Sequence, residues 1–401
     1  MHLPLDALKH RNYRLYFTGQ LLSMVGTWMQ STVQAWLVYR LSGSATWLGI
    51  VTFSMQLPAF LASPMAGVVA DRVDRRKILL WAEAIGMLQA FALAALVLTG
   101  HVELWHVAAL SMVLGVVHAF EMTSRHSLAA ELVPRTDLHN AIAWNSVTMN
   151  GSRIVGPALA GVLIVQVGEA WCFLLNGLSF LAVILGLLLM RLQPRNIEPA
   201  MSRPLEQIRE GALYVLKNRN ILKLVGLTAF IGFFGFPYAV LLPVFAKGIL
   251  GGDSRTLGFL IGAAGVGAIL GAFRGLGKPS ESSTDSRQFL LIGVSICTLG
   301  LSRSVSLSIA ATFFIGFFMM GILPVFNTTI QHLVEDSFRG RVLSIYTMGF
   351  LGSMPLGSLL CGWLTDHFGA PAVQVSFGAV FLLLSASLNC KSCMKWVNSR
   401  A

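Results

Sequence analysis

Charge is what this chain has least of: only 12% of its 401 residues are Asp, Glu, Lys or Arg, roughly half the share usual in a soluble domain. With 55% hydrophobic residues and a mean hydropathy of +0.70, too little polar surface remains to clothe a soluble globule, so an integral membrane protein is expected. Cysteine is scarce too. Of Cys172, Cys297, Cys361, Cys390 and Cys393, only the last two are spaced as a pair, and no second pair completes a zinc site, so the thiols are expected to be reduced and no metal is expected. Also missing are a phosphate-cradling Gly-Lys loop, a metalloprotease helix motif and a serine nucleophile elbow; Gly275-Leu276-Gly277-Lys278-Pro279 lacks the required spacing. Neither enzymatic machinery nor a cofactor is expected. Acids are the minority charge, and the formal net charge is +11. The basic residues sit between apolar runs without interleaved aromatics, a pattern that suits anionic lipid headgroups and topology rather than nucleic acid.

What the chain does have is length of apolar sequence. Apolar stretches run near residues 12–39, 46–70, 77–99, 105–130, 138–166 and 170–190, then near 220–246, 256–276, 288–303, 307–333, 341–366 and 371–390. Except for the short ninth, each can cross a hydrocarbon core of about 30 Å as a helix rising 1.5 Å per residue. The fold class expected is an all-α membrane protein with twelve transmembrane helices. Placing the amino terminus in the cytoplasm puts nearly every Lys and Arg on that side; Arg40, Lys247, Arg255 and Arg303 lie opposite, while Arg125 and Arg153 fall inside helices. Both termini are therefore expected to be cytoplasmic.

The stretch from Arg191 to Arg219 is polar, carries Pro194, Pro199 and Pro204, and ends in Leu-Glu-Gln-Ile-Arg-Glu-Gly-Ala-Leu-Tyr-Val-Leu, the pattern of a surface amphipathic helix. It divides the chain into residues 1–190, a six-helix bundle, a linker over 191–219, and a second bundle over 220–401. Internal similarity supports the division. Leu8-Lys9-His10-Arg11-Asn12 recurs as Leu216-Lys217-Asn218-Arg219-Asn220, and Gly151, Gly156, Gly161 and Gly168 recur at a constant offset of 201 as Gly352, Gly357, Gly362 and Gly369. These glycines offer smooth faces for close helix packing, and Pro157 and Pro355 are placed to bend the same two helices.

Between Gly67 and Lys77 the chain reads Gly-Val-Val-Ala-Asp-Arg-Val-Asp-Arg-Arg-Lys, a dense charged turn between two apolar stretches. That turn resembles the signature of the major facilitator superfamily. The likeness extends through Arg11-Asn12-Tyr13-Arg14-Leu15-Tyr16, Gly19-Gln20, Trp36-Leu37-Val38-Tyr39, Ser124-Arg125-His126, Glu131-Leu132-Val133-Pro134, Asn140-Ala141-Ile142-Ala143, the run from Ser152 to Gly161, and Arg339-Gly340-Arg341-Val342. Together these are similar to the enterobactin exporter type, the transmembrane secretion effectors. The resemblance implies two pseudo-symmetric six-helix bundles around a cavity that opens alternately to each side. It implies export of a small amphipathic molecule such as a siderophore or drug, from a bacterial inner membrane. Many proton-driven relatives carry an acid after the first-helix glycine, whereas this chain has Gly26-Thr27.

Charges inside helices are costly, about 2.5–3.5 kcal/mol each at the centre, and so mark candidate sites. Glu121 and Arg153, at similar depth on antiparallel helices, are expected to pair, with His118 one turn from Glu121. The pair would take up a proton, a substrate cation or an anionic group; a structural ion pair is the alternative. In the charged turn, Asp71 is expected to act as a latch toward Arg125 or toward the amino end of the eleventh helix, with Gly67 permitting close approach. Arg72, Arg75, Arg76 and Lys77 would fix topology. Gln30, Gln34, Tyr238, Asn327 and Gln331 are candidate cavity residues, with interhelical hydrogen bonding as the competing role. The partners expected are a small-molecule substrate, protons and membrane lipids, for a monomer. A lipid or lysolipid transporter is the alternative within transport, and a non-transporting receptor or scaffold the alternative outside it.

Overall fold

The computed structural model describes residues 6–191, 204–275 and 286–398, and among these every regular element is helical. After a single turn at Asp6–Lys9 come α1 (Arg11–Ser42), α2 (Ala45–Arg72), α3 (Arg75–Leu98), α4 (Leu104–Glu131), α5 (Leu138–Gln166) and α6 (Glu169–Leu189). Next are α7 (Pro204–Lys217) and α8, which spans Arg219–Ile249. The remainder are α9 (Ser254–Gly275), α10 (Ser286–Leu301), α11 (Val305–Leu333), α12 (Arg339–Phe368) and α13 (Ala370–Asn398). Ten of these are long and apolar enough to cross a membrane. The other two that coincide with apolar stretches are α1, of 32 residues, and α10, of 16. Pro194, Pro199, the 276–279 part of the glycine-lysine segment, and the side chains of Cys390 and Cys393 lie outside what is described.

Polar and apolar surfaces are inverted relative to a soluble protein. On α3, Trp81 is 71% and Leu88 63% exposed, while Glu83 is 1% and Gln89 3% exposed. An aqueous surface would not tolerate that arrangement; a hydrocarbon one demands it.

The chain forms two compact units, one from residues 1–43 and 51–202, the other from 44–50 and 203–401. In the first unit α1 packs on α5 and α6, and α3 on α4 and α6. Gly156 of α5 sits so close to α1 that an added Cβ would lie 2.8 Å from Val25 O and Met29 N, whereas Gly151 faces open space. Gly156 therefore serves packing and Gly151 does not. The charged turn ties helix ends together. Asp74 caps α3 by accepting from the Arg76 amide at 2.9 Å, Arg75 pairs with Glu131 of α4, and Arg76 donates to Leu188 O of α6 at 3.0 Å. Just outside the helices, His10 donates to Asp137 at 2.7 Å and holds that carboxyl below its ordinary range.

In the second unit α9 packs on α11, α10 on α13, and α12 on α8 and α7. The amphipathic α7 is pinned to the start of α12 by Tyr214 stacked on Phe338 at 4.7 Å and by Arg341 paired with Glu210 at 2.9 Å. Helix α8 widens into π turns at Ile231–Gly235 and Val244–Ile249, on either side of Pro237 and close to Pro243, which cannot donate to the helical ladder. Residues 44–50, the start of α2, pack within this unit. Asp366 of α12 accepts from the Ser44 hydroxyl and from the amides of Ala45 and Thr46 at 2.7 and 3.0 Å, and Gly362 lets α12 approach Ala45. A carboxylate at a helix amino end is favourable both as cap and against the dipole.

Gly156→Ala is expected to destabilise the protein by about 1–3 kcal/mol through overpacking against the α1 backbone, whereas Gly151→Ala, unhindered inside a helix, is expected to stabilise it by about 0.5–1 kcal/mol. Unfolding midpoints of the two purified variants in one detergent check this; equal midpoints would sink the packing assignment.

Candidate functional site

The polar interior of the first unit is organised by one face of α1. Its three glutamines each reach a different neighbour. Gln20 donates to Glu83 of α3 at 3.3 Å, Gln30 donates to Gln89 of α3 at 2.9 Å, and Gln34 donates to Ser111 of α4 at 2.9 Å. Gln30 also accepts from Asn176 of α6 at 2.7 Å, so α6, α1 and α3 are joined by one amide relay. Gly26 makes room for it, since a Cβ there would lie 2.3 Å from Asn176 Oδ1. Gln30 is 3% and Gln34 7% exposed. Both are thus engaged in interhelical hydrogen bonds, the competing role.

Charge gathers on α4. Glu121 pairs with Arg125 one turn along, at 3.1 Å, and lies 3.9 Å from His118 one turn back. The expected Glu121–Arg153 pair does not form. Arg153 instead lies over the Trp28 ring of α1, 5.6 Å from its centroid, where a cation is attracted to the π face. The same-helix partner wins because i,i+4 side chains meet without any interhelical adjustment. Asp71 does not pair with Arg125 either: Asp71 and Arg72 are exposed, and Arg125 is held by Glu121. Gly67 faces open space, so no close approach is made there.

Glu83 is the buried acid that sequence reasoning misses. Less than two turns beyond Lys77, it reads as the margin of the charged turn, yet it is 1% exposed. Its being the one acid in the 77–99 stretch is the signal that could have found it. Around it stand Glu121 and Arg125 of α4 and Tyr16 of α1. Among the described residues, Glu83 Oε2, Gln20 Oε1, the Tyr16 hydroxyl and Arg125 Nε are all buried without a hydrogen-bond partner.

In the second unit Tyr238 is 5% exposed, and Asn327 and Gln331, one turn apart on α11, are half-buried and bonded to each other at 2.5 Å. Of the repeated glycines, Gly357 meets Phe233 O of α8 and Gly362 meets Ala45. Among the described residues no cluster of His, Cys, Asp and Glu could hold a metal.

Residues 3–401 match the family described as transmembrane secretion effector. The staphyloferrin A transporter of Staphylococcus aureus is 26% identical, over 89% of this chain and 90% of its own. The multidrug efflux pump Tap of Mycolicibacterium fortuitum is 26% identical over 87% and 88%. Macrolide efflux protein A of Streptococcus pyogenes is 23% identical over 90% and 92%. Among solved structures, the fold matches an inward-facing, occupied bacterial homologue of the human lysosomal transporter Spinster with a TM-score of 0.74, 14% identity, and coverage of 94% and 96%. It matches a POT family transporter with a TM-score of 0.75 at 12% identity, over 96% of each chain.

Gln30→Leu is expected to leave Gln89 Oε1 and Asn176 Nδ2 buried without their hydrogen-bond partner, at a cost of about 1–3 kcal/mol. Thermal unfolding in detergent should shift downward, and a Gln30→Leu protein as stable as the wild type would show that the relay carries no weight.

Proposed function

The chain belongs to the transmembrane secretion effector family of the major facilitator superfamily, a multi-pass membrane transporter, and from that premise we propose that it exports a small amphipathic molecule, a siderophore or a drug-like compound, by alternating access. In this reading all twelve apolar helices cross the membrane, α1 and α10 included. Residues 1–190 and 220–401 form the two six-helix bundles, 191–219 the cytoplasmic linker. The setting is a bacterial inner membrane with both termini in the cytoplasm, and the protein acts as a monomer.

The observation that carries the reading is the Glu121–Arg125–His118 cluster on α4. An ion pair set inside an apolar-coated unit is costly to maintain, and intramembrane ionisable groups mark substrate or ion paths. Glu121 has a side chain 16% exposed and His118 one 30% exposed, so neither is sealed off as Glu83 is. Glu121 is the anchor for a substrate group, and Arg125 is the cation it exchanges for that group. Arg153, held over Trp28, is an anchor for anionic parts of the cargo. Asp71 and Arg125 are available to each other in another conformation, once Glu121 has released Arg125. The names of the relatives, a staphyloferrin A transporter and multidrug and macrolide efflux proteins, support the two substrate classes, siderophores and drugs.

Expression in a bacterium stripped of its main efflux pumps tests this. The wild-type chain should lower accumulation of ethidium, or restore secretion of an iron chelator under iron starvation in a deletion strain. Glu121→Gln should lose about tenfold of that activity, the equivalent of 1.4 kcal/mol. No change in either readout with wild-type protein verified in the membrane would overturn the reading.

A further inference from the structure

Glu83 stands apart from the ion pair beside it. It is 1% exposed on a membrane-embedded helix, and among the described residues it makes no ion pair within 4 Å and one hydrogen bond, from a neutral amide, Gln20, at 3.3 Å. An ionised carboxylate so placed would be left nearly bare in a medium that solvates charge poorly. Two atoms are left over on the two side chains already joined, Glu83 Oε2 and Gln20 Oε1. A carboxyl and a primary amide pair as a closed ring when the acid is protonated, with N–H donating to one acid oxygen and the acid O–H donating to the amide oxygen. The structure shows the first half of that ring. A proton on Glu83 Oε2 supplies the second and turns the leftover acceptor into a donor.

We propose that Glu83 is a proton-binding site of the transport cycle, protonated in this conformation and discharged when a cationic substrate takes Arg125's place on Glu121. This rests on the export reading and narrows its cargo to molecules bearing a positive charge. The groups facing Glu83 are Gln20 and Tyr16 from α1 and Glu121 and Arg125 from α4, with His118 beyond Glu121. From α6, also packed on α3, nothing ionisable follows Cys172.

Charge balance drives the exchange. In the resting arrangement protonated Glu83 is neutral and Arg125 cancels Glu121. When a substrate cation cancels Glu121, Arg125 is released beside Glu83, whose ionised form it then stabilises. The Glu83 proton leaves to water past the partly exposed Glu121 and His118. The buried site is neutral before and after, with one cation taken up and one proton given off.

Infrared spectroscopy of the full-length protein in lipid decides this. At neutral pH the wild type should show a protonated-carboxyl band that is lost in Glu83→Gln, a near-isosteric change that preserves both hydrogen bonds to Gln20. Glu121→Gln frees Arg125 without any ligand, and the band should fall to half or less. Adding tetraphenylphosphonium, a lipophilic cation, to the wild type should reduce the band and acidify a weakly buffered sample, with no proton release from Glu83→Gln. The proposal is overturned if the wild type lacks the band, if the band survives Glu83→Gln, or if it stays undiminished in Glu121→Gln. These readouts need no transport, so a chain that exports none of the molecules tried can still pass them, and an exporter can fail them.

Discussion

Everything in the first unit follows from one constraint, that a polar atom withdrawn from lipid must find another polar atom inside the protein. Helix α1 meets it by distributing three glutamines to three different partners, and in doing so it fixes the relative rotation of α3, α4 and α6. Amides suit that task because each both donates and accepts, so Gln30 can receive from Asn176 while giving to Gln89. The same constraint explains why α1 is the long helix that fails a simple hydropathy test: the stripe that builds the interior dilutes its apolar character.

Helix positions were legible in the sequence because a lipid core imposes a long, nearly uncharged run, the strongest signal a chain can carry. The expected stretch at 138–166 and the observed α5, Leu138–Gln166, coincide, and the short ninth stretch at 288–303 is the 16-residue α10. Side-chain pairing was less legible. Equal depth on antiparallel helices allowed Glu121 to meet Arg153, but depth leaves rotation open, and Arg153 is turned toward Trp28. Glu83 is hard to read from sequence because its position six residues past Lys77 leaves helix phase open, and it is the phase exposing Trp81 and Leu88 that buries it. The start of α2 shows a further limit: sequence assigns it wholly to the first bundle, while the Asp366 cap and the Gly362 contact draw residues 44–50 into the second unit.

The internal repeat separates what the fold requires from what the function adds. Gly156 closes on α1, and its mate 201 residues on, Gly357, closes on α8, itself the repeat mate of α1. Packing is therefore copied between the halves. The interior acids are not: Glu83 and Glu121 have no described counterpart on the second unit's apolar helices. Where the first unit has glutamines, Glu83 and the Glu121 pair, the second has an aromatic cluster: Phe230 meets Phe381 and Phe234, and Phe289 meets Phe326 and Phe381. A shape requirement that applied to both halves alike would be expected to repeat along with the glycines, so the unrepeated groups are the ones whose presence a shared fold does not explain. That asymmetry is the physical reason to look for charge exchange on α3 and α4 and for apolar contact on α8 and α13: Glu121 and Arg125 sit one turn apart on a single helix and so join no two helices, whereas Arg341 and Glu210 in the second unit join α12 to α7.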